Sequence, residues 1–167
     1  LDLEGNPRTI RVSISFPSNP DNFDRVLVNT VDISDSRLAR IALEESEQRF
    51  RDMADLLPEA IFEANLNLTV TYANEAAYRL FGYTHEDIQN GLKGLELIAP
   101  ADRDRAKQNL RRRIEGDDPG AVEYTGLRKD GTMFPVLFHA GSVYSAGEIS
   151  GVRGVIVDIT TRMRKEE

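Results

Sequence analysis

Arg128-Lys129-Asp130-Gly131-Thr132-Met133-Phe134-Pro135 holds the turn Lys129-Asp130-Gly131-Thr132 that joins two strand-like stretches, residues 122–129 and 133–144. Its Asp-Gly pair supplies the positive φ of a tight hairpin, so the two runs read as adjacent antiparallel strands. A third run, 152–159, closes on Asp158-Ile159-Thr160. The same punctuation occurs near the start of the chain. Glu4-Gly5 precedes one apolar run and Asp32-Ile33-Ser34 ends another, offset by 126 positions with no gap, with Val26 falling on Val152 and Val31 on Val157. Repetition of a supersecondary unit at a fixed spacing points to a tandem array of like domains. On this reading residues 1–34 are the closing hairpin and strand of a preceding copy, and the chain is a piece of a longer protein. Leu rather than Met at position 1 agrees with it.

Outward from these marks the elements fall into order. Residues 9–16 alternate Ile10, Val12, Ile14 and Phe16 with polar neighbours, the period of a half-buried strand. Pro17-Ser18-Asn19-Pro20-Asp21-Asn22 is turn chemistry, and 25–32 is the second strand. A two-stranded ribbon lacks a core of its own, so this hairpin needs a covering partner. Ser34 or Asp35 can cap the helix that follows. Residues 35–57 contain no Gly or Pro, and Leu38, Ala42, Ser46, Phe50, Met53 and Leu57 follow steps of three and four. That is a narrow seam of coiled-coil type, interrupted at Ala42 and Ser46, and Pro58 ends it.

Beyond Pro58, residues 60–64 and 69–73 form short strands joined at Asn65-Leu66-Asn67. Asn74 caps a helix over 75–81 with Gly82 at its C-terminal end, and Thr84 caps a second with Asp87 three residues on. Asp102 caps a longer helix to Ile114, carrying Ala106, Leu110 and Ile114 on one face. Two strands, several short helices and three strands pack most economically as an α+β fold. The expected form is a five-stranded antiparallel sheet with short helices on one face, preceded by a β-hairpin fragment and a long linker helix.

Composition bounds the chemistry. The chain has 167 residues, 40 % of them hydrophobic and 29 % charged, as in a soluble globular protein. A net charge of −7 disfavours nucleic acid as a partner. The basic run Arg111-Arg112-Arg113 reads as a solvated helix face. No apolar run approaches the ~20 residues of a bilayer span, so no membrane contact is expected of this piece, and a cytoplasmic module is the plain reading. With no cysteine, disulfides, thiolate metal sites and thiol nucleophiles are all excluded.

Five stretches carry a family resemblance over residues 55–160. They are Tyr72-Ala73-Asn74-Glu75-Ala76-Ala77, Phe81-Gly82-Tyr83-Thr84-His85-Glu86-Asp87, Ile98-Ala99-Pro100-Ala101-Asp102-Arg103, the opening octapeptide and Asp158-Ile159-Thr160. In this order and spacing the chain resembles the PAS sensor domain family, although Ala99 stands where His is common. The domain plan is then 1–34 from a preceding PAS domain, 35–57 a signalling helix, 58–160 one complete PAS domain and 161–167 the start of an outgoing helix. The resemblance implies a sensory or relay role. The module would act through dimeric helices on an output domain of the same polypeptide, such as a histidine kinase or diguanylate cyclase. It implies no particular ligand.

The site must come from the residues. Strand alternation places Val136, Phe138 and Ala140 on the helix-facing side, and Leu137 and His139 on the other. Candidate pocket residues are Ile61, Ala77, Leu80, Phe81, Leu110, Ile114, Val122, Tyr124, Phe138 and Ala140, which equally describe a closed core. Room for a cavity rests on Ala77, Ala106, Gly126 and Gly154. Segment 126–138 resembles that of oxygen-sensing PAS domains, which hold haem iron through a His on the long helix. Residues 102–114 contain no His, His85 and His139 lie elsewhere, and no Cys is present for a flavin adduct. The residues therefore argue against haem and cysteinyl-flavin chemistry, and no metal cluster is expected. No nucleophile–base set or phosphate loop suggests an enzyme. Signal relay is assigned to Asp158 and Thr160, with Arg128 or Lys129 pairing the acid as the resemblance implies, and to Asp32 and Ser34 in the first copy. A homodimer through helix 35–57 is the expected assembly, and a purely structural dimerisation domain is the alternative.

Overall fold

The computed structural model describes residues 4–16 and 26–166. The turn chemistry read at 17–22 lies outside them. Two units are distinguished, residues 1–50 and 51–167.

In the first unit, β1 (Ile10–Ser15) pairs antiparallel with β2 (Leu27–Asp32), Ile10 opposite Asp32 and Ser15 opposite Leu27. Alternation and β-branched residues favour this ribbon, but both strands remain exposed and Ile10, Val12 and Ile14 are each more than half accessible. Helix α1 (Ser34–Asp55) follows. The Asp32 carboxylate accepts Ser34 N–H at 2.9 Å, while the buried Ser34 hydroxyl accepts Thr9 N–H at 2.7 Å. The expected Ser34 cap is thus a clasp on the hairpin, and Asp32 meets the helix start. α1 stops two residues before the expected end, leaving Leu57 outside, because the residue preceding Pro58 is held away from helical φ/ψ.

The second unit is a sheet ordered β4-β3-β7-β6-β5, antiparallel throughout. Its strands are β3 (Ala60–Asn65), β4 (Val70–Ala73), β5 (Ala121–Leu127), β6 (Met133–Ser145) and β7 (Glu148–Asp158). Between β4 and β5 lie α2 (Glu75–Phe81), α3 (His85–Gln89), two 3₁₀ turns and α4 (Arg103–Ile114); α5 (Thr160–Glu166) leaves after β7. The expected caps at Asn74 and Thr84 form, the latter with Asp87 as a capping box, and Gly82 takes φ 77° at the end of α2. Asp102 departs from expectation. Its carboxylate accepts Thr125 N–H at 2.7 Å and pairs with Arg105 at 2.8 Å, pinning the start of α4 to β5 instead of capping the helix. Both interactions hold its carboxyl below the usual range, Arg105 first.

The core between sheet and helices is closed by Phe62, Phe81, Tyr124, Phe134, Val136 and Ile156. Val136 is fully buried, whereas His139 is exposed, as the alternation predicts. The 126-residue offset survives into three dimensions. Ile10 opposite Asp32 corresponds to Val136 opposite Asp158, and every pair through Ser15–Leu27 matches its counterpart through Gly141–Arg153. Gly5 and Gly131 share φ of 85° and 88°.

Candidate functional site

Two features of the second unit offer chemistry: a cavity under α4 and a polar joint at the end of β7. The cavity has a volume of about 100 Å³ and an almost wholly apolar lining. Of the candidate pocket residues, Leu110, Val122, Tyr124, Phe138 and Ala140 line it. Phe138 meets Phe62 and Tyr124 edge-on, with ring centroids at 5.8 and 5.4 Å. Ala77 and Phe81 instead line a void of about 20 Å³ against Phe62 and Ile156, and Leu80 borders a surface groove beside Asp158.

Two expected residues fall outside. Ile61 faces the opposite side of the sheet, because β3 buries Ala60, Phe62 and Ala64 in strict alternation. Ile114 is 42 % exposed and the inward residue is Arg113. At 100° per residue, Ala106, Leu110 and Arg113 fall within about 60° of one another, and Ile114 is turned about 80° from Ala106. The glycines do not make the room either. A Cβ on Gly126 would touch Phe134 and Val136 at 3.0 Å, and one on Gly154 would strike the backbone of β6. Ala106 does border the cavity.

The polar edge of the cavity was not legible in the sequence. Asn109 Nδ2 donates to the Tyr124 hydroxyl at 2.8 Å, and Arg113, 8 % exposed, pairs through Nη1 with Asp118 at 2.7 Å. Arg113 is thus no part of a solvated face, whereas Arg112, half exposed, pairs with Asp117 as a surface residue would. Asp118 also accepts Gly120 N–H at 2.9 Å; that bond, and then Arg113, holds its carboxyl below the usual range. Spacing could have hinted at this, since Arg113 is one turn from Asn109 on the same face.

At the joint, Asp158 uses both carboxylate oxygens. One accepts Thr160 N–H at 2.9 Å and the other faces Arg128 at 3.5 Å. The acid, not the Thr160 hydroxyl, therefore meets the start of α5. Arg128 also donates to the Leu80 carbonyl at 2.8 Å and lies 3.7 Å over the Phe134 ring, so α2, the hairpin and β7 converge on one guanidinium. Lys129 is engaged elsewhere, with Asp87 at 2.8 Å, and that bond is the main cause holding the Asp87 carboxyl below its usual range. Asp32 accepts from Ser34 as Asp158 accepts from Thr160; it also faces Arg8 at 3.5 Å, an arginine that falls on Phe134 and not on Arg128 at the 126-residue offset.

His85 receives only a 3.3 Å contact from the Tyr78 hydroxyl, and no group of three metal-ligating side chains occurs among the described residues. The wall of the cavity contributed by α4 is made of Ala106, Asn109, Leu110 and Arg113, with no His among them. Purified protein should therefore be colourless. Desalting followed by absorption spectroscopy checks this, and a stoichiometric Soret or flavin band would overturn it.

The family model of the PAS domain matches residues 58–161. The sensor protein FixL of Bradyrhizobium diazoefficiens is 26 % identical over 141 residues, covering 81 % of this chain and 27 % of that protein. The chain thus spans about a quarter of that relative's length. The PAS domain of a protein from Colwellia psychrerythraea superposes with a TM-score of 0.63 at 24 % identity, over 70 % of this chain and 98 % of that one. The N-terminal domain of a diguanylate cyclase with a PAS/PAC sensor from Marinobacter aquaeolei gives 0.51 at 18 %, over 63 % and 98 %. Both likenesses are of fold.

Proposed function

The chain belongs to the PAS domain family, and from that membership we propose that it is a sensory and signal-relay module of a multidomain signalling protein. It works as a homodimer through α1 and regulates an output domain of the same polypeptide, such as a histidine kinase or diguanylate cyclase, without catalysing a reaction itself. Residues 1–34 are read as the closing hairpin of a preceding PAS domain, α1 as the signalling helix between copies, and α5 as the start of the outgoing one. The matched strand register at offset 126 supports the tandem reading. The module is assigned to the cytoplasm.

The joint at Asp158 carries this reading. A carboxylate that meets the start of α5 with one oxygen and Arg128 with the other ties that helix to the sheet and, through Leu80, to α2. A shift of α2 or β7 then changes how α5 is held, which is the bistable element a relay needs. The cavity supports a ligand input, and its small size favours a second reading. At about 100 Å³ it is below the ~300 Å³ at which ligand pockets usually begin, so the module could pass on an upstream signal without a ligand.

Asp158→Ala and Asp158→Asn test the joint in the parent protein. Loss of the capping acceptor in the Ala variant should cost about 0.5–2 kcal/mol; Asn keeps that acceptor and loses the ion pair. Both should shift basal output, measured as autophosphorylation or cyclase activity. Wild-type output in both would remove the joint from the signal path.

A further inference from the structure

Arg113 is the one charged side chain among the described residues that is buried to nine-tenths, and it borders a mostly apolar cavity. A guanidinium cannot be deprotonated and carries five N–H donors, so burial obliges it to keep an anion. Its anion is Asp118, at 2.7 Å, whose own side chain is 66 % exposed. The pair is lopsided. Removing the partner of a buried charge is costly when both are dry, but Asp118 can return to water with its hydration restored, provided another anion takes its place on Arg113. The loop that bears it, including Pro119 and Gly120, forms part of the cavity wall. One turn earlier on α4, Asn109 donates to the Tyr124 hydroxyl, which leaves that hydroxyl its own proton to give.

We propose that this cavity takes a short-chain monocarboxylate, its carboxylate on Arg113 in exchange for Asp118 and its tail among Leu110, Val122 and Phe138. The proposal rests on the sensory reading above and supplies the class of ligand. Size sets the chain length. At about 30 Å³ for each water-sized group, about 100 Å³ holds three or four non-hydrogen atoms, enough for the tail of a short carboxylate whose head group takes the place that Asp118 leaves on Arg113. Charge sets the head group. A neutral alcohol of the same length fills the tail site but cannot replace Asp118, and a dicarboxylate would bury a second charge among apolar side chains at a prohibitive cost. Release of Asp118 would also loosen the wall between α4 and β5, giving the bound state a structural consequence.

The test titrates the 167-residue protein with butyrate, 1-butanol and butyramide, following amide resonances of the cavity lining and affinity by calorimetry. Butyrate should bind more tightly than either neutral analogue by about tenfold or more, as one charge-assisted hydrogen bond implies. Asp118→Asn should tighten butyrate severalfold, because the resident competitor is gone. Arg113→Met should abolish the preference for butyrate; if that variant fails to fold, the Asp118→Asn comparison decides alone. Equal or tighter binding of butanol, or an unchanged butyrate affinity in Asp118→Asn, would overturn the carboxylate proposal and leave a sensory apolar cavity standing. No cavity response to any of the three would overturn the proposal, whatever the outcome for the sensory reading.

Discussion

Replacing Asn74 with alanine is expected to lower the melting temperature of the second unit by on the order of 10 °C or more. Asn74 is fully buried, and all four of its side-chain hydrogen-bonding capacities are used. Its Oδ1 accepts Ile61 N–H at 2.9 Å and Ala77 N–H at 3.0 Å; its Nδ2 donates to the carbonyls of Ala54 at 2.8 Å and Glu59 at 3.0 Å. One side chain thus fastens the last turn of α1, the entry to β3 and the start of α2. Ala77 N–H and the Ala54 carbonyl have second partners. The Ile61 and Glu59 groups would be left short, at about 1–3 kcal/mol each. Asn74→Asp keeps the acceptors and turns a carboxylate toward two carbonyls, so it should be no better than alanine. Thermal melts of the two variants check this, and a wild-type midpoint in either contradicts it.

Gly154→Ala should be comparably severe. Gly154 lies in β7 opposite Ala140 of β6, and an added methyl would lie 2.7 Å from the Ala140 Cα and collide with the His139 carbonyl. These are backbone atoms of the sheet's central pair and cannot turn aside as a side chain would. Overpacking of this kind costs about 1–3 kcal/mol and sometimes more. Here the relief must come from separating β6 and β7, so loss of cooperative unfolding is the expected signature in a chemical-denaturation curve. Gly141→Ala is the control, since a methyl there meets nothing within 4 Å. Equal midpoints for the two variants would show that the close approach carries no cost.

These two residues also show where sequence reading stops. Turn and cap chemistry is local, so the Asp130-Gly131 hairpin, the Asn74 and Thr84 caps and the order of strands could be read directly. Asn74 was legible as a cap for Ala77, three residues on, but not as the partner of Ala54 and Glu59, which depend on how α1 ends against β3. Gly126 and Gly154 were legible as small residues; whether smallness makes a cavity or admits a neighbouring strand is a property of packing. The candidate pocket was half legible for the same reason. A phase error of one residue on β3 and at the end of α4 put Ile61 and Ile114 inside, and hid Arg113 in a basic run that composition alone assigns to solvent.

Assembly through α1 is the claim on which the relay depends. The seam residues Leu38 and Met53 are 64 % and 63 % exposed, and Phe50 is 39 % exposed. Interruptions at Ala42 and Ser46 leave that seam loosely packed, which suits small shifts of register better than a locked zipper does. Sedimentation equilibrium of the 167-residue protein and its Leu38→Glu/Met53→Glu variant is the direct measurement. The account predicts a reversible dimer at micromolar concentration that the double variant converts to monomer. A strictly monomeric wild-type protein at high micromolar concentration, unchanged by the two substitutions, would contradict it.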